Sequence, residues 1–332
     1  MTGKLLIYGA TGYTGTLIST QAKLTNLNFT IAGRSPKNLT TLSKSLSVPF
    51  SAFALDNHSQ TLEHLKSFTA VLNCAGPFIN TAPPLMRACI ELGIHYLDIT
   101  AEYKTYSLAE SLHRQAKERG SMLLPGVGWD VVPSDCLALH TLSLLHGKAA
   151  TKLSIALKVD GGMSRGSAIS AGEIMGVGIL QRRGGEIVSV PDAKTRVFDF
   201  GDGKEDVECH PISFGDLITA FHSTAIENIE MYVHVTGTGF PEGDLSELPD
   251  GPSEEERGAS RAVVVVEVVD EDGKVFKSRI ETVNGYSYTP LAAVEAARRV
   301  LGGEFRAGFS TPGLVFGKGF AGTIPRTQIF DV

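Results

Sequence analysis

Along the first 130 residues, short apolar runs alternate with stretches whose apolar positions recur at helical spacing. Leu5–Tyr8 is a four-residue apolar run, the pattern of a buried strand. Thr14–Thr25 places Leu17, Ile18 and Leu24 at helical spacing, and Phe29–Ala32 is a second strand. Pro36 opens a helix with Leu39, Leu42 and Leu46 on one face. Pro49–Leu55, Ala70–Asn73, His95–Ile99 and Ser121–Leu124 complete a set of six strands. Pro83–Leu92, between a proline start and Gly93, and Glu102–Arg119, stopped by Gly120, read as helices. Strands alternating with helices predict an α/β domain with a doubly wound parallel sheet, a Rossmann arrangement. Such sheets bind ligands beyond the carboxyl ends of their strands.

The second half follows a different pattern. Pro133–Leu145 reads as a helix, and Lys152–Val159 alternates Leu153, Ile155, Leu157 and Val159 as a half-buried strand. Residues 164–180 read as a helix with a small-residue face. Ser164, Arg165 and Ser167 at its start suit either an anion or ordinary capping. Thr195–Phe200 and Asn228–Val235 are further strands. Ala262–Val269 and Val275–Thr282 flank Asp272-Gly273, a hairpin signal. Residues 240–260, rich in Pro, Gly, Asp and Glu, read as a connector, and Leu291–Leu301 as a helix. This predicts a second α+β domain of mixed or antiparallel sheet over residues 131–289.

Candidate chemistry concentrates at the predicted strand ends. GATGYTG, residues Gly9, Ala10, Thr11, Gly12, Tyr13, Thr14 and Gly15, fills the first strand-to-helix turn. Glycines permit tight turns and close approach of a phosphate, and the following helix start attracts the pyrophosphate. An acidic residue at the end of the second strand usually holds the ribose of NAD. Here that place holds Arg34 and Ser35, with no acid before Asp56. A guanidinium and a hydroxyl suit a 2′-phosphate, so the expected cofactor is NADP(H). Asp56 is placed beside the adenine. Cys74, Ala75, Gly76, Pro77 and Phe78 let backbone lie against pyrophosphate and ribose. The loops Asp98–Tyr103 and Pro125–Asp130 are expected beside the nicotinamide. Reduction by hydride needs a proton source, and Tyr103 and Asp130 are the candidates. Each either donates the proton or fixes loop geometry.

Composition narrows the field. The chain has 332 residues and a formal charge of −6, which argues against nonspecific nucleic-acid binding. No apolar stretch reaches the roughly 20 residues of a membrane span, and the N-terminus lacks a signal-peptide pattern. Four cysteines without CxxC spacing suggest reduced thiols, a cytoplasmic setting and no metal. No tyrosine has lysine four positions later, which excludes a short-chain ketoreductase.

The ordered set GATGYTG, AGRSPKNL, VLNCAGPF, HYLDITAE and PGVGWDVVPSD resembles the saccharopine dehydrogenase-like oxidoreductases, which include saccharopine reductases and trans-acting enoyl reductases. GPSEEERGASR, NGYSYTPLAAVEAARRVL and GFSTPGLVFG resemble the enoyl-reductase branch. The resemblance implies an NADP-binding Rossmann domain, discontinuous over 1–130 and about 290–332. It also implies a second α/β domain and reduction of a C=C or C=N bond in a small-molecule substrate. A saccharopine reductase acting on an amino-acid imine, and a noncatalytic NADP-binding regulator, stand as alternatives. A homodimer is compatible with all three.

Overall fold

The computed structural model describes residues 3–201, 203, 205–236 and 248–332. The chain divides into two compact units, Met1–Gly128 with Thr289–Ser310, and Trp129–Tyr288 with Thr311–Val332. In the first unit the order is β1 (Leu5–Tyr8), α1 (Tyr13–Leu24), β2 (Phe29–Gly33), α2 (Pro36–Leu46), β3 (Phe50–Ala52) and α3 (His58–Leu65). Then come β4 (Ala70–Asn73), α4 (Phe78–Leu92), β5 (His95–Asp98), α5 (Tyr103–Ser111), α6 (His113–Glu118) and β6 (Met122–Leu124).

The second unit holds α7 (Val132–Ser143), β7 (Ala150–Val159), α8 (Arg165–Met175), β8 (Leu180–Arg183), β9 (Glu186–Ser189) and β10 (Arg196–Phe198). It continues with β11 (Val207–Pro211), α9 (Asp216–Thr224), β12 (Ile229–Val235), α10 (Glu254–Ala259), β13 (Arg261–Asp270) and β14 (Val275–Val283). Helix α11 (Gly285–Leu301) leads to β15 (Gly308–Phe309). The last elements are α12 (Pro312–Phe316) and β16 (Gln328–Asp331).

The first unit is a seven-stranded parallel sheet of order β15-β6-β5-β4-β1-β2-β3. Strand β1 lies between β2 and β4 and is buried along its whole length. That is why it reads as an unbroken apolar run rather than an alternation. Its large buried side chains contribute about 1.5–3 kcal/mol each.

Three expectations are corrected here. Helix α4 starts at Phe78, not at Pro83, so Pro83 and Pro84 lie inside it. Strand β3 ends at Ala52, which leaves Asp56 in the link to α3. The stretch read as one helix over 102–119 breaks at Leu112 into α5 and α6.

The second unit is built on a nine-stranded mixed sheet of path order β10-β11-β12-β7-β13-β14-β16, with β8 beside β12 and β9 beside β8. The β7–β12 pair is parallel and the other pairs are antiparallel. Helices α7 and α9 cover one face. On the other, Phe198, Phe200, Cys209 and Tyr232 pack with Ala156, Val263 and Val265. Leu153–Lys158 is therefore buried throughout, not half-buried as its alternation suggested. The hairpin at Asp272-Gly273 forms as read, in register from Arg261↔Val283 to Val269↔Val275. Gly273 takes φ +81°, and Asp270 Oδ1 accepts the N–H groups of Asp272 and Lys274 at 3.0 and 2.8 Å.

Residues 164–180 form a shorter helix, α8, capped by Ser164 on the N–H of Ser167. Of the connector at 240–260, residues 240–247 lie outside the described residues, and Glu254–Ala259 is a helix with a Ser253–Glu256 capping box. The C-terminal segment divides. Residues from Thr311 belong to the second unit, because β16 pairs with β14 and Asp135 Oδ2 accepts the N–H of Gly313 at 2.6 Å.

Candidate cofactor site

The glycine loop joins β1 to α1. Gly9 takes φ +79°, and a Cβ there would lie 2.7 Å from Ala75 N. A Cβ on Gly15 would lie 2.2 Å from Gly9 O. Both glycines are thus required by the protein's own packing. Gly12 differs: its φ is −74°, and a Cβ would meet only Gly9 O, at 3.5 Å. Gly12 is also the N-cap of α1, without a side-chain cap and without an acid in the first turn. The helix start therefore presents N–H groups and a positive dipole end beside open space, an arrangement suited to an anion. Ala10 is buried, its N–H bonded to Ala32 O at 3.2 Å. Thr11, Tyr13 and Thr14 are partly buried around the turn.

Arg34 follows β2 directly. It is exposed and has no ion-pair partner among the described residues. Ser35 caps α2 by accepting the N–H of Asn38 at 3.3 Å, which leaves its hydroxyl hydrogen to donate. Asp56 is exposed, and with Arg34 it lies close enough to the Tyr8 hydroxyl to act on its titration. Burial is the larger influence and raises that phenol. The structure thus groups Arg34 and Asp56 at one end of the sheet, next to the glycine loop.

The 74–78 turn is fixed from below. Asn73, fully buried at the end of β4, accepts the N–H of Ala75 at 3.0 Å. Its amide donates to Thr81 Oγ1 at 3.0 Å and to Tyr96 Oη at 3.2 Å. Cys74 is partly buried and its thiol is pushed up by burial, so it is an inert thiol. Gly76 is exposed, Pro77 partly buried and Phe78 buried. The Glu102 carboxylate accepts the N–H groups of Phe78 and Ile79 at 2.9 and 2.8 Å. This capping from a distant loop starts α4 a turn before its prolines. Asp98 accepts the N–H groups of Thr100 and Gly126 at 3.1 and 2.9 Å and the Tyr96 hydroxyl at 2.8 Å. Burial raises it to about 7. Asn73, Tyr96, Asp98 and Glu102 are the residues that order these loops. The signal for Asn73 is a polar residue inside an apolar strand. Nothing local marks the partner of Glu102.

Tyr103 and Asp130 fall in different units. Tyr103 begins α5 and is partly buried. Asp130 precedes α7, and burial raises its carboxyl to about 6. Trp129 is buried in the second unit with Nε1 donating to Thr282 Oγ1 at 2.8 Å. Seven arginines of the second unit bond within it, two of them to one shared glutamate. Arg165 pairs with Asp250, Arg196 with Glu267, and Arg261 and Arg279 with Glu281. Arg182 donates to Leu217 O and Gly185 O, Arg183 to Gln181, and Arg257 to Pro252 O. Among the described residues no group of three His, Cys, Asp or Glu side chains is placed to hold a metal ion, and no helix is long and apolar enough to cross a membrane.

Comparison with known proteins adds to this geometry. Residues 5–124 match the saccharopine dehydrogenase NADP-binding domain. A saccharopine dehydrogenase-like oxidoreductase of Rattus norvegicus is 28% identical over 166 residues, covering 43% of this chain and 38% of that one. A trans-acting enoyl reductase of Mycobacterium ulcerans is 31% identical over 145 residues, covering 41% of this chain and 35% of that one. The matched stretch thus spans little more than a third of either relative. Apo saccharopine dehydrogenase (L-Glu forming) from Saccharomyces cerevisiae matches with a TM-score of 0.67 and 14% identity, covering 99% of this chain and 100% of the other. At that identity the likeness is one of fold. The resemblance carried by the ordered motifs is borne out: the chain is similar to the saccharopine dehydrogenase-like oxidoreductases, and residues 5–124 carry their type of NADP-binding domain.

Proposed function

We propose that the chain is an NADPH-dependent oxidoreductase that reduces a C=C or C=N bond of a small metabolite or biosynthetic intermediate. The observation that carries this reading is Arg34, exposed and without an ion-pair partner among the described residues, at the strand end where NAD-binding chains place a carboxylate. The open space at Gly12 and the uncapped start of α1 fit a pyrophosphate. The names of the relatives support a reductase. Bound NADPH supplies the hydride. This chain's residues hold the phosphates at Gly12 and α1, read the 2′-phosphate through Arg34 and Ser35, and manage one proton. Tyr103 or Asp130 delivers that proton to the atom next to the one that receives hydride. The carboxyl of Asp130, at about 6, holds a proton near neutrality more readily than an exposed aspartate does. Arg165, Arg182, Arg196 and Arg261 of the second unit are already bonded within the fold, which supports a substrate with fewer carboxylates than saccharopine. Four free cysteines fit a reducing compartment such as the cytoplasm.

The test is a fluorescence titration with NADPH and NADH. Parent protein is expected to prefer NADPH. Arg34→Asp should lower the NADPH/NADH affinity ratio about 100-fold, since a repelling carboxylate replaces a charge-assisted partner. An unchanged ratio removes Arg34 from cofactor selection. Absence of binding to either nucleotide overturns the reading. With activity in hand, Tyr103→Phe should reduce turnover at least tenfold at constant NADPH affinity if Tyr103 is the donor.

A further inference from the structure

The hydrogen bonds at the ends of β4, β5 and β6 have a fixed direction. The N–H of Ala75 can only donate, so the Asn73 atom facing it is the amide oxygen. The Asn73 amide nitrogen is then the donor to Tyr96 Oη, at 3.2 Å, and to Thr81 Oγ1, at 3.0 Å. Tyr96 Oη accepts from Asn73, so its own hydrogen goes to Asp98 Oδ2, at 2.8 Å. Asp98 Oδ1 accepts the N–H groups of Thr100 and Gly126. Every partner of Asp98 is a donor, which an ionised carboxylate satisfies and a neutral one does not. Asn73, Tyr96 and Asp98 are all fully buried, so water does not repair a broken link.

Resting on the reading of this unit as an NADPH site, we propose that Asn73, Tyr96 and Asp98 form a directional positioning chain, which holds the loop at Ala75 and the loop at Gly126 as one unit while Asp98 is ionised. Protonation reverses the chain. Neutral Asp98 turns its O–H toward Tyr96, whose hydrogen then finds an acceptor only in the Asn73 oxygen. The amide must take that oxygen from Ala75, and the loop beside Gly9 loses its anchor. The groups facing the acid are Tyr96 on its own strand, Glu102 at the start of α5 and Cys74 after β4, with Cys89 of α4 facing Tyr96. Glu102 disfavours a second charge, and burial sets the titration at about 7, so the reversal falls near neutral pH.

The test uses full-length protein and two readouts. The first is amide hydrogen exchange at Ala75 and Gly126 without cofactor, in the parent, Asp98→Asn, Tyr96→Phe and the double variant. Asparagine imitates the neutral acid. At about pH 8, Asp98→Asn should speed exchange of Ala75, which it does not touch, about tenfold, the value of one lost hydrogen bond. In the Tyr96→Phe background the same change should alter Gly126 and leave Ala75 unmoved. Exchange at Ala75 that ignores Asp98→Asn overturns the proposal. The second readout is NADPH affinity between about pH 8 and about pH 6. Parent affinity should exceed that of Asp98→Asn about tenfold at about pH 8, and the two should converge toward about pH 6. The 2′-phosphate titrates alike in all variants, so the difference between profiles belongs to Asp98. Parallel profiles also overturn the proposal. If the parent binds no NADPH, the functional reading fails, and the exchange experiment alone decides the chain.

Discussion

Asp98 in the first unit and Asp216 in the second are both sealed from solvent, yet only Asp98 has donors on both carboxylate oxygens. Asp216 receives the Ser134 hydroxyl on Oδ1, and its Oδ2 has no hydrogen-bond partner among the described residues. Asp135 and Asp130 add like charge beside it, and burial raises it to about 8. Asp135, next to Ser134 in α7, is better served, by Ser223, Gly313 and Thr311. Where donors from separate loops converge on one acid, the acid acts as a joint between those loops. Where a single hydroxyl meets it, the acid is tolerated as a neutral group, and its ionisation works against the fold.

The largest expected effect separates these two cases. Asp98→Ala strands two N–H groups and a buried phenol, and should cost about 3–9 kcal/mol in urea unfolding, at about 1–3 kcal/mol per orphaned group. Asp216→Ala leaves the Ser134 hydroxyl its other acceptor, Val131 O at 3.0 Å, and should cost less than about 2 kcal/mol; an equal loss would break the comparison. The glycine loop gives a second contrast. Gly15→Ala forces a Cβ to 2.2 Å from Gly9 O and should destabilise by about 3 kcal/mol or more. A Cβ at Gly12 meets only Gly9 O, at 3.5 Å, so Gly12→Val should leave stability within about 1 kcal/mol while abolishing NADPH binding. Normal NADPH affinity in that variant would dissociate the loop from the cofactor.

A pH series sharpens the comparison further. Asp216 keeps its proton to about pH 8 when folded, whereas an unfolded aspartate releases it near pH 4. The folded chain therefore binds more protons across that window, and stability falls as pH rises through it. Asp216→Asn removes this slope. The variant should exceed its parent by a few kcal/mol at about pH 8, with the gain vanishing toward about pH 4. A constant offset at all pH values would mean that Asp216 is ionised in the native state. Asp98 contributes a slope of the same sign up to about pH 7. Global stability and cofactor affinity should thus move in opposite directions with pH.

The first unit was legible because its strands are buried on both faces and read as compact apolar runs bounded by turns. GATGYTG and Arg34 were found from position in that alternation. The reason for Gly9 was not legible, because it depends on Ala75, which arrives from another strand. Helix α4 was misplaced for a similar cause: Pro83 is the strongest local start signal, but Glu102 caps the chain further upstream. Helix α9 was missed because nine residues, several of them β-branched, carry no clear period. Strands β15 and β16, of two and four residues, are too short for pattern and exist through pairing alone. The positioning chain combines residues from β4 and β5, more than 20 positions apart, and no local window contains it.

Those late strands have a consequence for vectorial synthesis. Strand β15 completes one sheet and β16 the other, and both come from beyond residue 307. Until the ribosome has delivered them, β6 and β14 present unpaired ladder edges. Strand β6 therefore keeps an open border from residue 124 until residue 308, and β14 a briefer one from residue 283 until residue 328. Chaperone dependence should track elongation past residues 308–331 more closely than it tracks completion of the glycine loop.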